Sequence, residues 1–188
     1  MNQHEALDMA QAGAGSAALG GHGAARKFVA EYLERWSGLG YAWDDEVVMA
    51  PREAGRSTAL DALIRPGDEV IDVDPAKLSL EAVLASPWHR RTGAVVVPWS
   101  STEASQTWAA LGIACLRADA WLVLDAGEIA GDPPAGGHPA ALPGMRRRTI
   151  TIGTLPGRQL DAIVAPARIV PAIADIYHPW NWFLPVAS

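Results

Sequence analysis

Cysteine is almost absent from this 188-residue sequence. Cys115 stands alone, which excludes an intrachain disulfide framework and a cysteine-rich zinc site. Lysine is nearly as scarce, with only Lys27 and Lys77. There is no excess of positive charge: the formal net charge is −6, which disfavours a nucleic-acid binder relying on a general basic field. No apolar run approaches the length of a membrane span. No basic segment follows the start, Met1-Asn2-Gln3-His4-Glu5, so no signal peptide is expected and the cytoplasm is the default compartment. What is present reads as globular. The chain is 49% hydrophobic and 19% charged, and its length suffices for one domain with a real core.

Residues 1–23 are expected to form a flexible arm, because Gln11 to Gly23 is a run of Gly, Ala and Ser with little to bury. Gly13-Ala14-Gly15-Ser16 follows no strand and lacks the spacing of a dinucleotide fingerprint. From Ala24 the pattern sharpens. Ala25, Phe28, Val29, Tyr32, Leu33 and Trp36 fall at helical spacing, and Gly38 stops that helix. Further helices are predicted over 53–64, 103–116 and 167–176. Strands are predicted over 46–50, 70–73, 94–97, 121–124, 149–153 and 161–165. Short apolar runs alternating with helices predict a three-layer α/β/α sandwich with a mostly parallel mixed sheet. Ligands bind beyond the carboxyl ends of strands in such sheets, which directs attention to Pro98–Glu103 and Asp125–Glu128.

Read in order, these blocks resemble the large domain of the class I/II aminotransferases, the fold-type I pyridoxal-phosphate enzymes. Gly23-Ala24-Ala25-Arg26 through Leu33 resembles the family's first helix. Ala59 to Val70, with Pro66-Gly67-Asp68, is similar to its helix, PGD turn and strand. Trp121-Leu122-Val123-Leu124-Asp125 resembles its strand ending in aspartate. His138 to Gly153 is similar to the segment before its cofactor lysine, and Ile163-Val164-Ala165-Pro166 to the strand after it. The resemblance covers residues 20–176 and assigns 24–176 to one large-domain-like unit. It implies a seven-stranded mixed sheet. The family's smaller domain has no counterpart in this sequence.

The resemblance also implies a chemistry. In the family, pyridoxal phosphate forms an imine with a lysine, and its ring nitrogen faces an aspartate. Asp125 occupies the aspartate's place; read without the family, it ends a strand and caps a turn. Glu128 stands where the family has a tyrosine. In Pro98-Trp99-Ser100-Ser101-Thr102-Glu103, Ser100 replaces the asparagine of the family's turn and Thr102 is kept. Both also suit the cap of the next helix. The phosphate cradle, counted back from Pro66, falls on Pro51-Arg52-Glu53, where proline offers no N–H. The lysine is missing: Gly153-Thr154-Leu155-Pro156 runs straight into Gly157-Arg158-Gln159-Leu160. Arg158 lies one place from the family's phosphate-binding arginine, but a guanidinium forms no imine. Lys27 and Lys77 are not at equivalent positions.

The resulting expectation is an aminotransferase-like domain not competent for transamination alone, with no catalytic residue and with Asp125, Ser100, Thr102 and Arg158 as the inherited cofactor contacts. It would act as a structural or regulatory partner, as a homodimer or in a hetero-oligomer with a related aminotransferase. The alternatives are an enzyme of changed chemistry, binding a small amino-acid-like or anionic ligand among Ser100, Thr102, Asp125, Glu128 and Arg158, or a residual aminotransferase holding the cofactor without a covalent bond. The segment 177–188, with Trp180, Trp182 and Phe183, reads as too proline-rich for a helix and as either a cover for the domain or a docking tail. His89-Arg90-Arg91 and Arg146-Arg147-Arg148 read as solvated loops, with an anion site as the lesser reading. Cys115 reads as a core residue, and the five histidines do not pair at metal-ligand spacing. No nucleophile elbow occurs.

Overall fold

The computed structural model describes residues 23–74, 79–99, 105–130, 133 and 137–181, with the backbone alone at 105 and 177–181. Its elements are α1 (Gly23–Ser37), β1 (Val47–Pro51), α2 (Gly55–Leu63), β2 (Glu69–Asp72), α3 (Leu80–Ala85), β3 (Thr92–Pro98), α4 (Ser105–Ala118), β4 (Trp121–Glu128), β5 (Thr149–Thr154), β6 (Leu160–Val164) and α5 (Val170–Asn181). Two 3-10 turns, Pro139–Ala141 and Arg146–Arg148, precede β5. Each predicted strand is a strand. The short helix α3 was not foreseen. It is fixed locally by Ser79, whose hydroxyl accepts from the Ala82 N–H at 3.2 Å.

The strands form one sheet in the order β1-β6-β5-β4-β3-β2. β2, β3, β4 and β5 run parallel, while β6 is antiparallel to β5 and β1 is antiparallel to β6. The central strands explain themselves. Ala94, Val95, Val96 and Val97 of β3 are all buried, as are Leu122, Val123 and Leu124 of β4. Such runs suit a sheet covered on both faces. On one face α1, α3 and α4 contribute Leu33, Val83 and Leu111 against Val95, Leu122 and Leu124. On the other, Ala59 of α2 and Ile173 of α5 meet Val96, Val123 and Ile150. Leu122 is fully buried at the centre of the sheet. Leu122→Ala is expected to cost about 2–5 kcal/mol, read as a lower urea midpoint of unfolding; an unchanged midpoint would contradict this packing.

Three expectations need correction. The resemblance implied seven strands, but the described residues form six. A parallel connection needs about a dozen or more residues. The stretch between Asp72 and Thr92 holds α3 and supplies one such crossover, not two, so β2 is left at the edge. That edge is short and carries Glu69 and Asp72, charges that oppose further strand pairing. Next, Tyr177 to Asn181 are helical. Pro171 falls in the first turn of α5, where a missing N–H costs nothing. Last, Gly23 opens α1 and does not belong to an arm. The remainder of that arm, residues 1–22, and residues 182–188 lie outside the described residues. Among the described residues no helix is long and apolar enough to cross a membrane.

Candidate functional site at the strand ends

The parallel strands bring their carboxyl ends to one edge of the sheet. In register, Pro98 of β3 lies beside Asp125 of β4, and Asp125 lies beside Ile152 of β5. Strand alternation places Asp125 on the same face as Val123, the face covered by α2 and α5. The Asp125 backbone also organises its neighbour: its carbonyl accepts from the Trp99 N–H at 2.6 Å. The ladder then breaks between Asp125 and Glu128. Gly127 takes φ +63°, a conformation glycine adopts without steric cost, and its N–H donates to Asp125 Oδ1 at 2.9 Å. The half-buried carboxylate therefore closes its own turn. Glu128 is exposed at the end of β4, opposite Thr154.

Arg158 sits in the turn joining β5 and β6, which Gly157 makes possible at φ +66°. Its Nη2 is buried and has no hydrogen-bond partner. The fold thus gathers Asp125, Glu128 and Arg158 on the ends of adjacent strands. Ser100 and Thr102 lie outside the described residues, as does Lys77. Lys27 is exposed on α1.

Two buried groups escaped the sequence reading. The first is Asp161 on β6, 4% exposed. Its Oδ2 accepts from the Gly55 N–H at 3.1 Å, and its Oδ1 accepts from the Thr154 hydroxyl at 2.8 Å. A Cβ added at Gly55 would lie 2.9 Å from the Asp161 Cβ, so only glycine allows this approach. The signal was available: a lone carboxylate inside the apolar run Leu160-Asp161-Ala162-Ile163-Val164 needs a reason. The second is His138, 2% exposed, ahead of β5. Its Nδ1 accepts from the Ala140 N–H at 3.1 Å, so the ring proton resides on Nε2 and is donated to Thr151 Oγ1 at 3.0 Å. Burial pushes its pKa down to about 4.

Around His138 lies an aromatic block. Trp36 meets His138 and Trp99 edge-on, each at 4.6 Å between centroids, and Trp99 stacks on Trp108 at 5.1 Å. The face opposite Asp125 is thereby filled with rings. Cys115 is fully buried on α4, and burial pushes its thiol up to about 12, which removes it as a nucleophile. Among the described residues no group of three His, Cys, Asp or Glu side chains could hold a metal ion.

Pyridoxal phosphate can be tested against this geometry. The cradle expected at Pro51-Arg52-Glu53 is not a helix start: Pro51 ends β1, Glu53 adopts φ +70°, and α2 begins only at Gly55. At that start the Gly55 N–H is given to the buried Asp161 carboxylate, an anion the chain itself supplies. A phosphate there would meet like charge. Gly127 occupies one oxygen of Asp125 and leaves Oδ2 without a hydrogen bond among the described residues. The described residues do not fit the phosphorylated aldehyde, although the unpartnered Arg158 Nη2 is a free donor beside them.

The order of strands and their covering helices give this chain the large-domain fold of aminotransferases. Its sequence is similar to the arginine–pyruvate transaminase AruH of Pseudomonas aeruginosa, 29% identical over 79% of this chain and 47% of that protein. Its structure is similar to N-succinyldiaminopimelate aminotransferase from Mycobacterium tuberculosis, with a TM-score of 0.73 at 19% identity over 96% of this chain and 58% of that one. Aspartate aminotransferase from Thermus thermophilus gives a TM-score of 0.68 at 20% identity over 94% and 55%. The chain spans about half the length of these relatives. No family model matches it.

Proposed function

We propose that this chain is an aminotransferase-like domain that does not transaminate by itself and serves as a structural or regulatory partner, in a homodimer or beside a related aminotransferase in the cytoplasm. One observation supports this above the others: the buried Asp161 carboxylate takes the N–H at the start of α2, where an external phosphate would need it. The scarcity of lysine, with only Lys27 and Lys77 in the sequence, points the same way, since imine chemistry requires a neutral amine. Adding pyridoxal phosphate to the purified chain is expected to give no imine absorption band, and borohydride no fixed adduct. An adduct located by mass spectrometry on Lys27 or Lys77, with amino-group transfer to a 2-oxo acid, would overturn the reading.

The unpartnered Arg158 Nη2 favours a second reading, in which the strand ends hold a small amino-acid-like or anionic ligand near Asp125 and Glu128. Such a ligand would satisfy the guanidinium. Calorimetric titration with amino acids and dicarboxylates, lost in Arg158→Gln, would favour this reading over the first.

A further inference from the structure

The sequence run His89-Arg90-Arg91 belongs to a feature that the strand-end site does not use. Between α3 and α4 lies a groove of about 470 Å³, within the size range of small-ligand sites. Leu84 and Trp88 form one wall, with His89 and Arg90 at its rim; Ala114 and Arg117 of α4 form the other. Leu84 and Trp88 are half-buried against the core, and the Trp88 Nε1–H donates to the Val83 carbonyl at 3.0 Å, which fixes the ring. The groove therefore has a rigid apolar floor.

Its rim is positively charged, and its cations are not neutralised from within. Arg90 and Arg117 make no ion pair or hydrogen bond among the described residues. Three acids lie nearby in the chain, and the exposed Glu81 of α3 makes no ion pair with either arginine. Glu69 pairs with His89, Oε2 to Nε2 at 3.1 Å, and Asp119 is taken by Arg148. Each arginine presents a planar donor fork that matches a carboxylate or a phosphate. The tryptophan face beneath suits a flat ring.

We propose that the groove between α3 and α4 binds a small aryl anion, its ring on Trp88 and Leu84 and its carboxylate or phosphate between Arg90 and Arg117. This site is independent of the strand-end reading, because it shares no residue with Asp125, Glu128 or Arg158.

Calorimetry on the full chain tests it with phenyl phosphate, benzoate and inorganic phosphate. Phenyl phosphate or benzoate is expected to bind at least tenfold more tightly than inorganic phosphate, and the stronger of the two identifies the head group. Arg90→Gln and Arg117→Gln lie on exposed side chains, so their unfolding midpoints should match the parent. Each should weaken aryl-anion binding about tenfold, the loss of roughly one charge-assisted contact. The proposal is overturned by no binding, by inorganic phosphate binding as well as phenyl phosphate, or by affinity unchanged in both arginine variants. Binding that survives in those variants but is lost in Arg158→Gln overturns it too and moves the ligand to the strand ends.

Discussion

His138→Asn is expected to flatten the acid limb of the stability profile. His138 is held neutral in the fold, its pKa lowered to about 4 by burial, whereas the unfolded chain titrates it near 6.5. Between those values the unfolded state binds more protons than the native state. The contribution is therefore complete above about pH 6.5 and is lost as the pH falls toward 4. The difference is worth about 3 kcal/mol. Protonation would place a hydrogen on Nδ1, where the Ala140 N–H already donates, and would charge a ring packed edge-on against Trp36. Asparagine can keep the contact with the Ala140 N–H but cannot take up the proton. The variant should lose some stability at neutral pH, because the Thr151 contact and ring packing go with the imidazole. Its unfolding free energy should then vary less between pH 6.5 and 4 than that of the parent. Equal slopes would refute the assignment, as would a ring resonance titrating near 6.5 by NMR.

Asp161→Ala is expected to cost about 2–4 kcal/mol, because two donors lose a buried acceptor that solvent does not readily replace. The Gly55 N–H at the start of α2 and the Thr154 hydroxyl on β5 both depend on that carboxylate. One side chain on β6 thus ties a helix start to the neighbouring strand. Asp161→Asn preserves the shape but leaves one acceptor where two are needed, so its loss should be smaller than that of alanine. Gly55→Ala should destabilise as well, since its new Cβ would sit 2.9 Å from the Asp161 Cβ. Chemical denaturation measures all three. An Asp161→Ala variant as stable as the parent would remove the carboxylate from any structural role.

The aminotransferase resemblance was legible because it rests on blocks in sequence order: the Pro66-Gly67-Asp68 turn, the Trp121–Asp125 strand and the Ile163–Pro166 strand. Their apolar runs predict buried strands wherever they are placed. The phosphate cradle was misplaced because counting back from Pro66 assumes a fixed helix length, while the chain inserts the Glu53 turn before α2. His138 gave no local signal. A histidine before proline reads as a loop residue, whereas Trp36, from a helix about a hundred residues earlier, packs edge-on against it.

The six strands, the helices over 23–37, 55–63 and 105–118, the scarcity of amines and the burial of Cys115 follow from the order of side chains, since local periodicity decides which face of an element avoids water. The pairing of Asp161 with Gly55, the neutral state of His138 and the lining of one groove by both Arg90 and Arg117 do not. Each depends on groups distant in the chain that only the sheet and its two helical layers bring together.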